Sequence, residues 1–234
     1  MMDEAAAVRF LSASRSRFVL TALDWLTTGE DPVDVLFLLS REVGQALGPW
    51  DTYRLCALLG LGRSPSVREL GLDVLAEPVS RPRFAPVSEA FALAHARVAL
   101  PEEEAPWAGK VRAALLESPA GAAPPAAIAA AAWALAGQDP TIEDGTLQAA
   151  AEASAQALQG PFGPRAAAEG LEALLLVGAR APISAVEAVG KIAAASQQAD
   201  GGLSAPSDAP RLRELATLRA LCAVSALGSG RGRA

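Results

Sequence analysis

A turn containing glycine recurs along the chain and divides it into helices. Residues 197–203 read Gln-Gln-Ala-Asp-Gly-Gly-Leu, residues 156–162 read Gln-Ala-Leu-Gln-Gly-Pro-Phe, and residues 45–50 have the same layout one residue shorter. Glycine just past a helix end can adopt the left-handed conformation that closes the helix, and a following Pro or Gly stops it. The Gln side chain can hydrogen-bond free carbonyl groups or a neighbouring turn. We therefore expect short turns between helices, with Gly160 and Gly201 at positive φ.

A second turn, Gly-x-Asp/Ser-Pro, alternates with the first at residues 29–32, 62–65 and 137–140. Together the two turns repeat every roughly 35 to 41 residues, which is the range of two-helix repeats. Alanine is common while Val and Ile are scarce, which favours helix over strand. The predicted inner helices lie near residues 10–28, 51–61, 87–100, 125–136, 166–177 and 211–227, the first of them starting at residue 4. The predicted outer helices lie near residues 33–46, 65–76, 106–117, 141–158 and 183–198.

The Gln-x-x-(x)-Gly-x-Trp/Phe/Leu pattern resembles the QW repeat of the terpenoid cyclases, and residues 197–203 resemble the repeat of protein prenyltransferase β subunits. Residues 51–58, Asp-Thr-Tyr-Arg-Leu-Cys-Ala-Leu, also resemble the inner-helix consensus of both families. These families fold as an α/α toroid around an apolar cavity. The resemblance therefore implies an all-α fold, an α/α toroid of about six helical hairpins with the last one incomplete. An open solenoid of helical hairpins, such as HEAT repeats, is the alternative.

Composition limits the domain count, the partners and the compartment. A chain of 234 residues is long enough for one large domain, which we place at residues 1–227, followed by a Gly- and Arg-rich flexible tail at 228–234. The net charge of −6 argues against nucleic acid as a partner. Two cysteines, an acidic N-terminus and no long apolar run predict a soluble, cytoplasmic protein without a membrane span. The sequence leaves the oligomeric state open.

The catalytic motifs of the resembled families do not recur here. There is no Asp-x-Asp-Asp acid, of which residues 142–145 are a partial echo, and no Asp-Asp-x-x-Asp magnesium motif. Zinc in the prenyltransferases is held by Asp, Cys and His, and the possible set here is Asp51, Cys56 and His95. Five residues apart on a helix, Asp51 and Cys56 point to different faces, so we expect no metal and no cofactor. The alternative roles are an N-cap for Asp51 and a small core residue for Cys56.

Three residues on predicted inner helices are candidates for proton transfer: Asp51, His95 and Glu169. An imidazole can gain or lose a proton near neutral pH, so His95 could act as a general acid or base. The alternative is a core or surface histidine with one hydrogen bond. Glu169 and Glu172 lie in an apolar helix, where a carboxylate facing a cavity would have a raised pKa and could donate a proton. Solvated carboxylates near a helix start are the alternative for both.

Aromatic residues supply candidate ligand contacts. Trp25, Tyr53 and Trp133 lie on predicted inner helices, where their π faces could stabilise positive charge on a substrate. Core packing is the alternative for all three. Three arginines of the last helix could bind a diphosphate: Arg211, Arg213 and Arg219. Glu214 and the arginines of the tail nevertheless favour an ordinary exposed face for this helix.

Three functional hypotheses follow from the resemblance. The first is a small relative of the terpenoid cyclases that binds an apolar, isoprenoid or polyene-like chain and catalyses metal-independent acid–base cyclisation or isomerisation. The second is a non-catalytic toroid that binds a ligand or serves as a scaffold. The third, a prenyltransferase β-like subunit, would require zinc and a partner subunit.

Overall fold

A computed structural model describes residues 2–28, 49–61, 64–76, 87–100, 164–177, 183–203 and 209–228. Within these ranges the chain is helical and contains no strand beyond one isolated bridge between Gln197 and Leu203. The prediction of an all-α protein is confirmed for this part. Its helices are α1 (Glu4–Ser12), α2 (Arg17–Thr28), α3 (Pro49–Leu58), α4 (Pro65–Ala76), α5 (Val87–Ala99), α6 (Pro164–Val177), α7 (Ile183–Ser196) and α8 (Pro210–Gly228).

The single helix expected from residue 4 to residue 28 is wrong, because the chain breaks between α1 and α2. Serine side chains cause the break by bonding to the nearby backbone. Ser14 Oγ accepts a hydrogen bond from the Ser16 amide at 3.0 Å, and Ser16 Oγ accepts one from the Val19 amide at the start of α2. The sequence signal was present in Ser-x-Ser-x-Ser at residues 12–16, which is typical of helix ends.

Proline marks the start of several helices, as its fixed φ and missing N–H lead one to expect. Pro49, Pro65, Pro164 and Pro210 each occupy the first position of a helix. This placement corrects the role expected for Asp51. The residue is not an N-cap, because α3 begins two residues earlier and Asp51 lies within its first turn.

Most of the helices predicted to be inner contact one another through apolar side chains. Helix α8 packs against α1, α2, α3 and α6, while α5 packs against α3, α4 and α6. The C-terminal helix therefore lies against the first helices of the chain. Cys56 and Tyr53 are fully buried in the resulting core, which confirms the packing role for Cys56. The toroid stays a prediction, because residues 29–48 and 101–163, with four of its predicted helices, lie outside the described residues.

The turn at residues 197–203 is hydrogen-bonded to the start of the described chain. Gln197 Oε1 accepts a hydrogen bond from the Asp3 amide at 2.7 Å, and Gln197 Nε2 donates to the Asp3 carbonyl at 2.8 Å. Nε2 also donates to the Gly201 carbonyl within the turn at 3.0 Å. The expected role of this Gln is confirmed: it bonds its own turn and the start of α1, whose N-cap is Asp3.

Glycine is required in this turn by conformation and by space. Gly201 has φ of 90°, which confirms the prediction for this residue; Gly160 lies outside the described residues. A Cβ at position 201 would lie 2.1 Å from the Ala6 carbonyl oxygen. Beside it, Asp200 accepts two hydrogen bonds of 2.9 Å from Arg213, which also stacks over Phe10. The turn therefore packs closely against both α1 and α8.

Candidate functional site

A carboxylate lies buried where several helices meet. Glu172 is on α6 between apolar neighbours, and its side chain is 0% exposed. An ionised carboxylate in such a place is tolerated only when it is paired and hydrogen-bonded. The expectation of a solvated carboxylate at this position is therefore wrong.

Arg54 of α3 supplies the compensating charge. Its Nε lies 2.8 Å from each oxygen of Glu172, and its Nη2 lies 2.6 Å from Oε2. The guanidinium also lies over the ring of Phe91 on α5, 4.3 Å from the ring centre. Arg54 is 1% exposed, so the pair lies inside the protein, with Glu172 bonded to the guanidinium nitrogens and the Phe91 ring against the guanidinium.

His95 of α5 completes the group. Its Nε2 lies 2.8 Å from Glu172 Oε1, and the residue is 6% exposed. A carboxylate can only accept, so Nε2 carries the proton that is shared. We name these three side chains, Arg54, His95 and Glu172, the central charge cluster. It joins α3, α5 and α6 through residues up to 118 positions apart in the sequence.

The charges in the cluster set the protonation of its members. Burial alone would raise the pKa of Glu172, but the charge of Arg54 and the hydrogen bonds from His95 and Arg54 lower it to about 2. This result is opposite to the raised pKa that an apolar helix predicts for a carboxylate. For Arg54, burial acts to lower the pKa, and the neighbouring carboxylates, Glu172 first, raise it overall. The pair is therefore ionised throughout the neutral pH range.

A second ion pair lies next to the cluster. Arg219 of α8 donates a hydrogen bond from Nη2 to Asp51 Oδ1 on α3. Burial, and then the positive charge of Arg54, lower the pKa of Arg219. Burial and the charge of Glu172 raise the pKa of the Cys222 thiol, also on α8. Helix α8 packs against both α3 and α6, so the Asp51–Arg219 pair lies close to the central charge cluster.

The structure places the three predicted proton-transfer residues around this region. His95 is a member of the cluster, and Asp51 lies beside it in the ion pair with Arg219. Glu169 is one turn before Glu172 on α6, is half-buried, and its charge acts on Arg54. His95 is buried and, within the described ranges, makes one hydrogen bond, to Glu172. This also fits the alternative expected from the sequence, a core histidine with a single hydrogen bond.

The two predicted ligand-binding aromatics within the described ranges contact different parts of the protein. Tyr53 is fully buried and packs against α4, where a Cβ added at Gly71 would lie 2.9 Å from its ring. Trp25 is half-buried, and its Nε1 donates to the Leu59 carbonyl at 2.9 Å. Trp133 lies outside the described residues. For Tyr53 and Trp25 the contacts are those of core packing.

The arginines of the last helix are not an ordinary exposed face. Arg213 is buried and pairs with Asp200, and Arg219 pairs with Asp51, so only Arg211 of the three is exposed. Sequence reasoning missed the pairing of Arg54 with Glu172. A signal was present: each is a charged residue in the middle of an apolar helix predicted to be inner. No spacing in the sequence linked them to each other.

Possible metal ligands are scattered over the described ranges. There, no three side chains of His, Cys, Asp or Glu come together in a way that could hold an ion. In particular, Asp51, Cys56 and His95 do not form a metal centre. Burial raises the pKa of Cys56 to about 12, which keeps it a thiol rather than a thiolate ligand.

No family model, no curated protein and no solved structure matches this chain. Among the helices in the ranges given above, none is long and apolar enough to cross a bilayer.

Proposed function

We propose that this protein binds an apolar ligand and catalyses metal-independent proton transfer with His95, which Glu172 orients. The observation that carries the proposal is the 2.8 Å contact between His95 Nε2 and Glu172 Oε1 in a buried position. A carboxylate that accepts from one imidazole nitrogen fixes the ring, selects its tautomer and stabilises the imidazolium that forms during catalysis.

The second imidazole nitrogen is the reactive atom in this proposal. Among the described residues, Nδ1 of His95 has no hydrogen-bond partner. With Nε2 protonated, Nδ1 carries the lone pair that can take a proton from carbon and return it. Glu172 is a positioning group, because both its oxygens are already engaged by Arg54 and His95.

This arrangement favours isomerisation over cyclisation initiated by a strong acid. Glu172 is ionised, and Asp51 is engaged by Arg219, so neither stands ready to protonate an isolated double bond. A neutral imidazole can instead remove a proton next to a carbonyl group and deliver it to another carbon of the conjugated system. The proton lost equals the proton gained, and no oxidant or metal is needed. The substrate class is therefore an isoprenoid or polyene-like chain bearing a carbonyl group.

Exchange with solvent tests this proposal directly. The protein is incubated in D₂O with a panel of isoprenoid and polyene aldehydes and ketones, and deuterium in the recovered compounds is measured by mass spectrometry. The expected result is enzyme-dependent deuterium uptake that falls about 10²- to 10⁴-fold in His95→Asn. Lys191→Gln, which removes an exposed charge on α7, serves as the control and should exchange like wild type. Equal exchange in His95→Asn and wild type would refute the role of His95.

A non-catalytic module that binds a ligand or acts as a scaffold is the second candidate. It is favoured by one observation: two ion pairs join three helices, and the opposite charges cancel within each pair. Arg54–Glu172 joins α3 to α6, and Asp51–Arg219 joins α3 to α8. Buried pairs of this kind can serve to specify how helices pack. Ligand binding without any deuterium uptake, together with losses of binding that follow losses of stability, would select this candidate.

The third reading, a prenyltransferase β-like subunit, requires zinc. We expect no stoichiometric zinc or magnesium in the purified protein, and elemental analysis measures this directly. One zinc per chain that disappears in Cys56→Ala would overturn the core role of Cys56 and support the third reading.

A further inference from the structure

We propose that Phe91 is a positioning residue, whose ring holds the Arg54 guanidinium so that Glu172 can bond to His95. The proposal deepens the proposed function and rests on it for its catalytic meaning, because it names the group that aligns the reactive imidazole. Its structural part is the dependence of the His95–Glu172 bond on the ring of Phe91. This dependence can be measured without a substrate.

Phe91 and His95 lie four positions apart on α5. Side chains at this spacing lie on the same face of a helix, one turn apart. Both residues are buried, at 0% and 6% exposure. One face of α5 therefore places an aromatic ring next to the imidazole, and both contact the Arg54–Glu172 pair.

The contacts of these four residues form a closed cycle. The guanidinium carbon of Arg54 lies 4.3 Å from the centre of the Phe91 ring, and Arg54 Nε lies 2.8 Å from each oxygen of Glu172. Glu172 Oε1 lies 2.8 Å from His95 Nε2, which leads back to α5. All four residues are buried, and a close-packed interior transmits a displacement of one member to the next.

The ring of Phe91 anchors the ion pair on the helix that carries His95. Arg54 is on α3 and Glu172 is on α6, so the bond between them holds those two helices together. The π face of Phe91 attracts the guanidinium and keeps it over one turn of α5. A guanidinium that bonds both oxygens fixes the plane of the carboxylate, and the carboxylate then meets His95 in one orientation.

A test of this role must leave every charge in place, because the charges of Glu169 and Asp51 also act on Arg54. Phe91→Met does so, since it replaces the ring with a flexible apolar side chain of similar volume. The control is Phe18→Met, the same change at a ring that is 2% exposed. Phe18 lies on α2, which holds no member of the central charge cluster.

Nitrogen-15 NMR reads the bond directly, because His95 is the only histidine in the sequence. In histidine-labelled wild type, the Nε2 proton donated to Glu172 should exchange slowly with water. Its signal should shift and lose this protection in Phe91→Met and stay unchanged in Phe18→Met. Deuterium uptake by the carbonyl compounds should fall about 10- to 100-fold in Phe91→Met alone, because misplacing a catalytic group by about 1 Å has effects of this size.

Fluorinated phenylalanines test the attraction while keeping the shape of the ring nearly unchanged. Fluorine withdraws electron density from the ring face, so successive fluorines at position 91 weaken its attraction for a cation in steps. The loss of protection at His95 should grow with the number of fluorines at position 91. The same series at position 18 should have no effect. These proteins also provide the test should Phe91→Met not fold.

Each outcome bears on the proposal. A His95 signal that is the same in wild type and Phe91→Met overturns it, as does a fluorine series at position 91 without effect. The proposed function is tested separately, because it fails when His95→Asn takes up deuterium into substrate as fast as wild type. In that event, a His95 signal that depends on the ring would still show that Phe91 positions the imidazole, although without catalytic use.

Discussion

The turn at residues 197–203 and the central charge cluster both connect distant parts of the chain, and they do so by different physics. Gln197 reaches Asp3 through neutral hydrogen bonds near the surface, across 194 positions. Arg54 reaches Glu172 through charges in the interior, across 118 positions. The first contact competes with water at every bond, so its net contribution is modest. The second lies where water cannot solvate either charge, so each charge is stabilised by the opposite charge of its partner.

The difference shows where each region is vulnerable. In the turn, the demanding feature is the shape of the backbone, because Gly201 combines a φ of 90° with direct contact to Ala6. In the cluster, the demanding feature is charge balance. In the turn, the costly substitutions should therefore be those that change the backbone conformation. In the cluster, they should be those that leave a buried charge without its partner.

The largest expected effect is the loss of one partner of the buried pair. Glu172→Leu leaves Arg54 buried without its carboxylate and should lower the free energy of unfolding by about 3 to 5 kcal/mol. Urea denaturation measures the change. The double variant Arg54→Met, Glu172→Leu removes both charges and should recover a large part of the loss. A double variant less stable than Glu172→Leu alone would show that the pair is not the source of the effect.

Next in size is the glycine of the turn. Gly201→Ala should cost about 2 to 4 kcal/mol, since the new Cβ adds a steric clash with Ala6 to an unfavourable φ. Gly60 is the matched control, because it is exposed and has a φ of 80°. Gly60→Ala should cost only about 1 to 2 kcal/mol for its backbone conformation. Equal costs at the two positions would remove the contact with Ala6 from the explanation.

Acid should weaken the cluster before it weakens the turn's neutral bonds. The pKa of Glu172 is lowered from 4.5 to about 2, so its contribution is complete above about pH 4.5 and is lost as pH falls towards 2. The contribution at stake is at most about 3 kcal/mol. Unfolding midpoints between pH 6 and pH 2 should fall in wild type and fall less in Arg54→Met, Glu172→Leu. Asp200, whose pKa is also lowered by Gly202 and Arg213 against the effect of burial, is present in both proteins.

The smallest expected effect is at the turn's neutral hydrogen bonds. Gln197→Ala removes bonds to Asp3 and Gly201 and should cost about 1 kcal/mol, because the freed groups can bond to water. The neighbouring Gln198 makes one side-chain bond, 3.3 Å to the Ser196 carbonyl, so Gln198→Ala is the control with a smaller effect. If Gln197→Ala lowered the free energy of unfolding as much as Glu172→Leu, the contrast between the two regions would be wrong.

Some elements could be predicted because their signals are local. The starts of α4 and α8 follow from Pro65 and Pro210, and the positive φ of Gly201 follows from the turn sequence around it. The break after α1 was missed although its signal, serines at alternate positions, was local too. Buried Cys56 and Tyr53 could be expected from an apolar inner helix. For His95, the sequence supplied the residue but not its partner.

Within the described ranges, then, the sequence by itself determined that these segments are helical, apart from the break after α1, and that Gly201 closes a helix, since both depend on interactions within a few residues. Only the tertiary structure decided that Arg54, His95 and Glu172 meet, that Asp51 pairs with Arg219, and that Gln197 holds Asp3. Partners more than 75 positions apart carry no periodic signal in a single chain. A buried carboxylate is driven towards neutrality by burial and towards ionisation by a cation. Whether Glu172 is an acid or an anion was therefore fixed by the helix that brought Arg54 beside it.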